Sequence, residues 1–173
     1  MPSTNELSVN GLHHGAFRHE KGNNQLNAEK GTQLDIDYTY KSSRWNIFIN
    51  PFISYFDNFI FLNPTGEWSL LPHAGQIYTY EQSKALLTGG EIEVNYSRTE
   101  KWNFTSQADV VYSKNITDNY PLPFTPPARW TTSAEYILNL NKIISMLSVK
   151  IAYQHIFPQN RIARNEKKLP EQI

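Results

Sequence analysis

The chain has 173 residues, enough for one ordinary domain, with sixteen basic and sixteen acidic residues and a net charge of zero. No global basic field points to nucleic acid, and the absence of cysteine excludes disulfides, thiolate metal sites and a Cys nucleophile. Mean hydropathy is negative and no run approaches the ~18 apolar residues of a membrane helix; MPSTNELSVN has neither the basic nor the apolar segment of a signal peptide.

In chain order, residues 10–31 read as a long polar loop holding His13, His14, Arg18 and His19. TQLDIDYTYK then alternates as one strand, with Leu34, Ile36, Tyr38 and Tyr40 on one face and Gln33, Asp35, Asp37 and Thr39 on the other. KSSR makes a short turn. RWNIFINPFISYFDNFIFLN is a long strand whose two faces both carry large residues, and Pro51, lacking an N–H, predicts a bulge or irregular pair. NPTGEWSLLPHAG, with Trp68 and His73, reads as a loop.

IYTYEQSKALLTGGEIEVNYSR reads as one long strand. Ile92, Val94 and Tyr96 alternate with Glu91, Glu93, Asn95 and Ser97, and Gly89-Gly90 suggests a bulge or kink. After the turn RTEKW, the strand WNFTSQADVVYSK sets Trp102, Phe104, Ala108, Val110 and Tyr112 against Asn103, Thr105, Gln107 and Asp109. NITDNYPLPFTPPAR is a proline-rich loop. ARWTTSAEYILNL and ISMLSVKIAYQHIF are strands joined by NLNK, and the remaining tail is polar.

About six strands result. Short turns fall near 41–44, 98–102 and 139–142, and long loops near 10–31, 63–76, 114–128 and from 157 onward. Strict alternation puts all short turns at one end of the sheet. The expected fold is all-β, an antiparallel meander forming part of a transmembrane β-barrel, in which alternate residues meet lipid and average hydropathy stays low. Trp102, Trp130, Tyr38, Tyr40, Tyr96 and Tyr136 would form its interfacial aromatic belts. A soluble antiparallel β-sandwich, a binding module with Trp68, Trp130 and tyrosines as stacking platforms for carbohydrate, fits the same alternation.

Several segments resemble, in order, the C-terminal barrel region of TonB-dependent outer-membrane receptors. PSTNEL resembles a strand end in that family, leading to the loop KGNNQLNAEKG and a descending strand. DNFIFLNPTG, ALLTGGEIEVNY, YPLPFTPPAR and NRIARNEKKLP resemble later segments. The resemblance covers nearly the whole chain. It implies one partial barrel domain over 1–173, an inner slice without plug, TonB box or final aromatic-ended strand. It also implies a place in the bacterial outer membrane, nutrient import driven through TonB by way of the plug region, and no enzymatic activity.

The histidine loop leans towards a metal or metal chelate, such as an iron–siderophore complex, because neutral imidazole binds transition metals. His13 and His14, adjacent on extended backbone, would point apart, and a solvated loop with incidental histidines is the plainer reading. His13, His14, Arg18, His19, Trp68 and His73 are the candidate substrate contacts; no resident metal or cofactor is expected. Glu91 and Glu93 share a strand face, but nothing supplies the opposing acid of a hydrolase. With Asp35, Asp37 and Asp109 they are expected to face the water of a barrel lumen. No Ser/His/Asp arrangement is legible.

Overall fold

In the computed structural model, described for residues 1–138 and 147–166, nearly every element is a strand. A single-turn helix α1 (Thr4–Ser8) is followed by β1 (Asn10–His13), β2 (Arg18–Lys21), β3 (Lys30–Asp35), β4 (Tyr38–Lys41) and β5 (Trp45–Trp68). Then come β6 (Gln76–Ser97), β7 (Trp102–Asn115), β8 (Arg129–Leu138) and β9 (Leu147–Ile156). All nine belong to one sheet. From β3–β4 onward each strand pairs antiparallel with the next. No second layer covers it among the described residues, which removes the sandwich.

Six long strand paths are present, as the alternation predicts. The expected strand TQLDIDYTYK is split into β3 and β4, and the cause lies on β5. Pro51 accepts from the N–H of Ile36 at 3.1 Å but has no hydrogen to return, so the ladder is interrupted there. On its other side Pro51 pairs in regular register with Gly90, so the bulge is not at Pro51. The register shift falls between Phe56 and Phe59, where Asp57 and Asn58 oppose Lys84 alone. β5 continues to Trp68, so the expected loop from 63 shrinks to 69–75. The NLNK turn lies outside the described residues.

The largest departure is at the N-terminus. PSTNEL is not a strand end but the start of α1, closed by a capping box: Ser3 Oγ accepts from Glu6 N at 3.3 Å and Glu6 Oε2 from Ser3 N at 2.6 Å. The expected wet loop 10–31 contains a hairpin, β1–β2. It pairs parallel with the end of β6 that projects beyond β7, through His19–Ile77, Glu20–Tyr78 and Lys21–Thr79. Residues 23–29 then cross back to β3, pinned where Asn27 N–H donates to Gln82 and Ile60 N–H to Glu29.

Register sorts the meander into two faces. One carries Leu34, Ile53, Tyr55, Ile92, Val110, Tyr112, Trp130, Val149 and Ile151, all exposed. The other carries Asn95, Thr105, Gln107, Thr131, Ser133 and Gln154. On the apolar face Trp45 and Tyr55 bracket β5, and Trp102 and Tyr112 bracket β7, each pair ten residues apart (45 to 55, 102 to 112). Ten residues rise about 33 Å, or about 23–25 Å along the normal of a strand tilted by about 40–45°. That is the height of a barrel's apolar band. At the short-turn end Trp45, Tyr96, Phe104, Trp102 and Tyr136 form a run of ring contacts with centroids 4.4–6.3 Å apart.

The large residues on the polar face have a local reason. Phe52 opposes Gly89 and Phe56 opposes Gly31, and each ring lies over the bare glycine backbone beside it. Gly89 and Gly90 form no bulge; they let neighbouring strands close in. A Cβ on Gly89 would lie 2.2 Å from the Val110 carbonyl oxygen. Gly89→Ala is therefore expected to cost about 1–3 kcal/mol, seen as a lower melting temperature of the heat-modifiable gel band; an unchanged temperature would contradict this close approach.

Candidate functional site

The polar residues that the hairpin brings together lie at the long-loop end of the sheet, beyond the aromatic bracket. Pairing on β6 buries both His19 and Glu20, at 8% and 5% exposure. Alternation sends them to opposite faces of β2. His19 holds Ser69 Oγ at 2.8 Å through Nδ1 and Asn10 Oδ1 at 2.9 Å through Nε2. Both ring nitrogens are engaged, so this imidazole ties β1, β2 and the 69–75 loop together and has no lone pair left for a metal. His13 and His14 are exposed on the hairpin tip, and His73 lies on the exposed 69–75 loop in a left-handed conformation, φ 63°. No three His, Asp or Glu side chains converge on a metal position among the described residues.

Arg18 and Glu20 share a face of β2. Arg18 Nε donates to Glu20 Oε1 at 2.7 Å, and the Tyr80 hydroxyl donates to Glu20 Oε2 at 3.2 Å. The carboxylate is thus satisfied on both oxygens, which its burial requires. Tyr80 is pushed above the ordinary tyrosine value, first by burial and then by the adjacent Glu20 charge, which disfavours a phenolate.

The Arg18 guanidinium lies 5.4 Å from the centroid of Tyr78 and 5.8 Å from that of Phe124, rings that stack on each other at 5.9 Å. Phe124 arrives from the proline-rich loop. Its N–H donates to Glu166 Oε1 at 2.8 Å, while Glu166 Oε2 accepts from Ala163 N at 2.9 Å. One carboxylate therefore joins the 116–128 loop to the segment after β9. Together Arg18, Trp68, Tyr78, Phe124, Pro126 and Glu166 line an open cavity of about 490 Å³. Trp68, one of the lining residues, is 71% exposed. A cation over two aromatic rings, in a cavity of ligand size that Trp68 also lines, suits a planar or anionic molecule.

Of the six candidate contacts, the cavity gathers Arg18 and Trp68. It does not gather His13, His14, His19 or His73. Tyr78, Phe124 and Glu166 join it from segments far away in sequence. Alternation along β6 places Tyr78 and Tyr80 on one face, but nothing in the sequence near Phe124 or Glu166 shows which strand they reach.

The acidic residues lie elsewhere, on the polar face of the meander. Register aligns Asn50, Glu91, Asp109 and Arg129 across four strands, and Arg129 Nε lies 3.1 Å from Asp109 Oδ1. Glu93 accepts from Asn95 Nδ2 at 2.6 Å, Asp35 from Gln33 and Asp37 from Asn50. All five predicted acids share this face.

A family model described as TonB dependent receptor-like, β-barrel, matches residues 1–167. The chain belongs to that family. Members of the TonB-dependent receptor family are receptors and transporters rather than enzymes, and their barrels are found in the outer membrane of Gram-negative bacteria. Among solved structures, the copper transporter OprC is 21% identical over 99% of this chain and 25% of its own, with a TM-score of 0.80. A mutant of the ferric enterobactin receptor PfeA from Pseudomonas aeruginosa is 17% identical over 90% of this chain and 24% of its own, with a TM-score of 0.60. The likeness is one of fold, and the chain spans about a quarter of the length of either structure.

The Tyr80 shift has a consequence for stability. A proton held more tightly in the folded state contributes stability below the unfolded value of about 10 and loses it as pH rises through the raised value. In the intact receptor, Tyr80→Phe should flatten the stability loss above pH ~10. A melting-temperature series from pH 8 to 12 checks this, and identical slopes would contradict it.

Proposed function

We propose that this segment is part of the wall of an outer-membrane importer for a scarce nutrient, and that its cavity makes an early contact with a metal chelate such as an iron–siderophore complex. Energy would come from TonB through a plug region outside this chain. Asp35, Asp37, Glu91, Glu93 and Asp109 would face the water-filled lumen and bias it towards cations.

The observation that carries the substrate class is the cavity formed by Arg18, Trp68, Tyr78 and Phe124. Among the described residues Arg18 has Glu20 as its one hydrogen-bonding acceptor, through Nε, so its terminal nitrogens can serve an anionic ligand. A chelate presents carboxylates, phenolates or aromatic rings at its periphery, and these are the groups that a guanidinium and π faces hold. A bare ion would need a cluster of ligating side chains. His19, the best-placed histidine, is already committed to Ser69 and Asn10. The names of OprC and PfeA, a copper transporter and a ferric siderophore receptor, agree with a metal or chelate as cargo.

In the intact receptor, Arg18→Gln is expected to weaken binding of an anionic ferric chelate by roughly ten- to a hundred-fold, the worth of a charged hydrogen bond of about 1.5–3 kcal/mol. Trp68→Ala should weaken it by about ten-fold, and His13→Ala with His14→Ala should leave it unchanged. Titration against a panel of anionic and neutral ferric chelates reads the difference. Unchanged affinity of the Arg18 and Trp68 variants for every chelate, with loss in the histidine variant, would replace the cavity with the hairpin tip as the contact.

A further inference from the structure

Phe124 is held in a backbone conformation that its residue type disfavours. Its φ is 59°, in the left-handed region where a Cβ crowds the following carbonyl oxygen. The residue is also 51% exposed, so burial of the ring does not offset that cost. A non-glycine residue kept there is held by its surroundings, and such residues gather at binding sites. Here the holds are polar. On the β7 side, the N–H of buried Leu122 donates to Ser113 Oγ at 3.3 Å, and Thr125 Oγ1 donates to the Leu122 carbonyl at 2.9 Å. These bonds fix the chain before and after Phe124. Its own N–H goes to Glu166, whose Oε1 accepts it at 2.8 Å.

The segment that brings Glu166 is itself anchored. Arg161 lies 3.5 Å from the centroid of the Tyr112 ring, Ala163 is buried, and Asn165 Nδ2 donates to the Pro64 carbonyl at 3.2 Å. Gln159 Nε2 donates to the Thr125 carbonyl. Residues 157–166 therefore form a strap tied to β7 and β5, and it grips the 116–128 loop at two successive residues, Phe124 and Thr125. The second oxygen of Glu166 takes the Ala163 N–H at 2.9 Å, so both are used. Glu166 lines the same cavity as Arg18, yet it forms no ion pair with that residue among the described residues. Backbone N–H groups occupy the carboxylate, and it does not cancel the cation of the cavity.

We propose that Glu166 is a positioning residue of the Arg18 cavity: it sets the Phe124 ring against Tyr78 and beside the guanidinium, as one ready-made wall for a flat anionic ligand. It acts through Phe124 and not by touching the ligand. Without the carboxylate, the Phe124 N–H loses its partner and φ relaxes to negative values, which redirects Cβ and swings the ring off Tyr78. A wall formed in advance spares the ligand the cost of ordering it. The inference rests on the cavity being the chelate contact.

The experiment uses the intact receptor with para-fluorophenylalanine in place of Phe124, read by fluorine NMR without ligand. Tyr78→Leu marks the signal of a ring with nothing to stack on. Glu166→Ala should move the wild-type signal to that position, and an unmoved signal would overturn the proposal. The second readout is affinity for the anionic ferric tris-catecholate complex. Glu166→Ala should weaken it about ten-fold in the natural background, and by less than about two-fold when Phe124 is already alanine. Equal losses in both backgrounds would make Glu166 a structural tie only and overturn its role in binding. The heat-modifiable gel shift confirms that each variant is folded. If Arg18→Gln and Trp68→Ala leave chelate affinity unchanged, the cavity reading fails, and the fluorine signal still decides whether Glu166 sets the ring.

Discussion

A strand that crosses hydrocarbon must give every backbone N–H and C=O to a neighbouring strand, because no water is there to accept them. That constraint dictates the rest of this structure. It forces long, continuous, antiparallel pairing from β3 to β9. It leaves side chains as the only freedom, and their strict period of two then assigns one set to lipid and the other to water. The exception supports the rule: where Pro51 cannot donate, the outermost ladder breaks into β3 and β4, although the β5–β6 ladder continues through it.

Beyond the apolar band the constraint lifts, and the fold becomes irregular there. β5 shifts register at Asp57–Asn58 and again between Pro64 and Trp68. β6 outruns β7, and its free edge is taken by the hairpin from residues 10–21. The two buried groups most able to carry charge have their partners in place: His19 between Ser69 and Asn10, Glu20 between Arg18 and Tyr80. Specific recognition is affordable where the backbone no longer has to satisfy lipid, and the Arg18 cavity lies in that zone.

The meander was legible in the sequence because period-two alternation is a local signal. Tyr38 to Tyr40, Ile92 to Tyr96 and Trp102 to Tyr112 lie on the face that alternation assigns to them. Orientation of β5 was not legible, because Phe52 and Phe56 on its polar face look like core residues until Gly89 and Gly31 are seen beside them. The hairpin was hidden for a different reason. NGLHHGAFRHEK is mostly polar and shows no apolar alternation, and β2 is held by pairing with an edge of β6 more than fifty residues away. The same non-locality hid Phe124 and Glu166, whereas Arg18 and Trp68 were recognisable as candidates by residue type alone.

The central claim is that the face bearing Ile47, Ile49 and Ile53 meets lipid while the face bearing Phe48, Asn50 and Ser54 meets water. A nitroxide scan along residues 46–55 of the intact receptor in bilayers tests it directly. Accessibility to oxygen, which partitions into lipid, should peak at 47, 49 and 53, and accessibility to a water-soluble nickel chelate at 48, 50 and 54, with period two throughout. Equal access of the nickel chelate to both faces, or the opposite phase, would contradict a membrane wall and return this sheet to water.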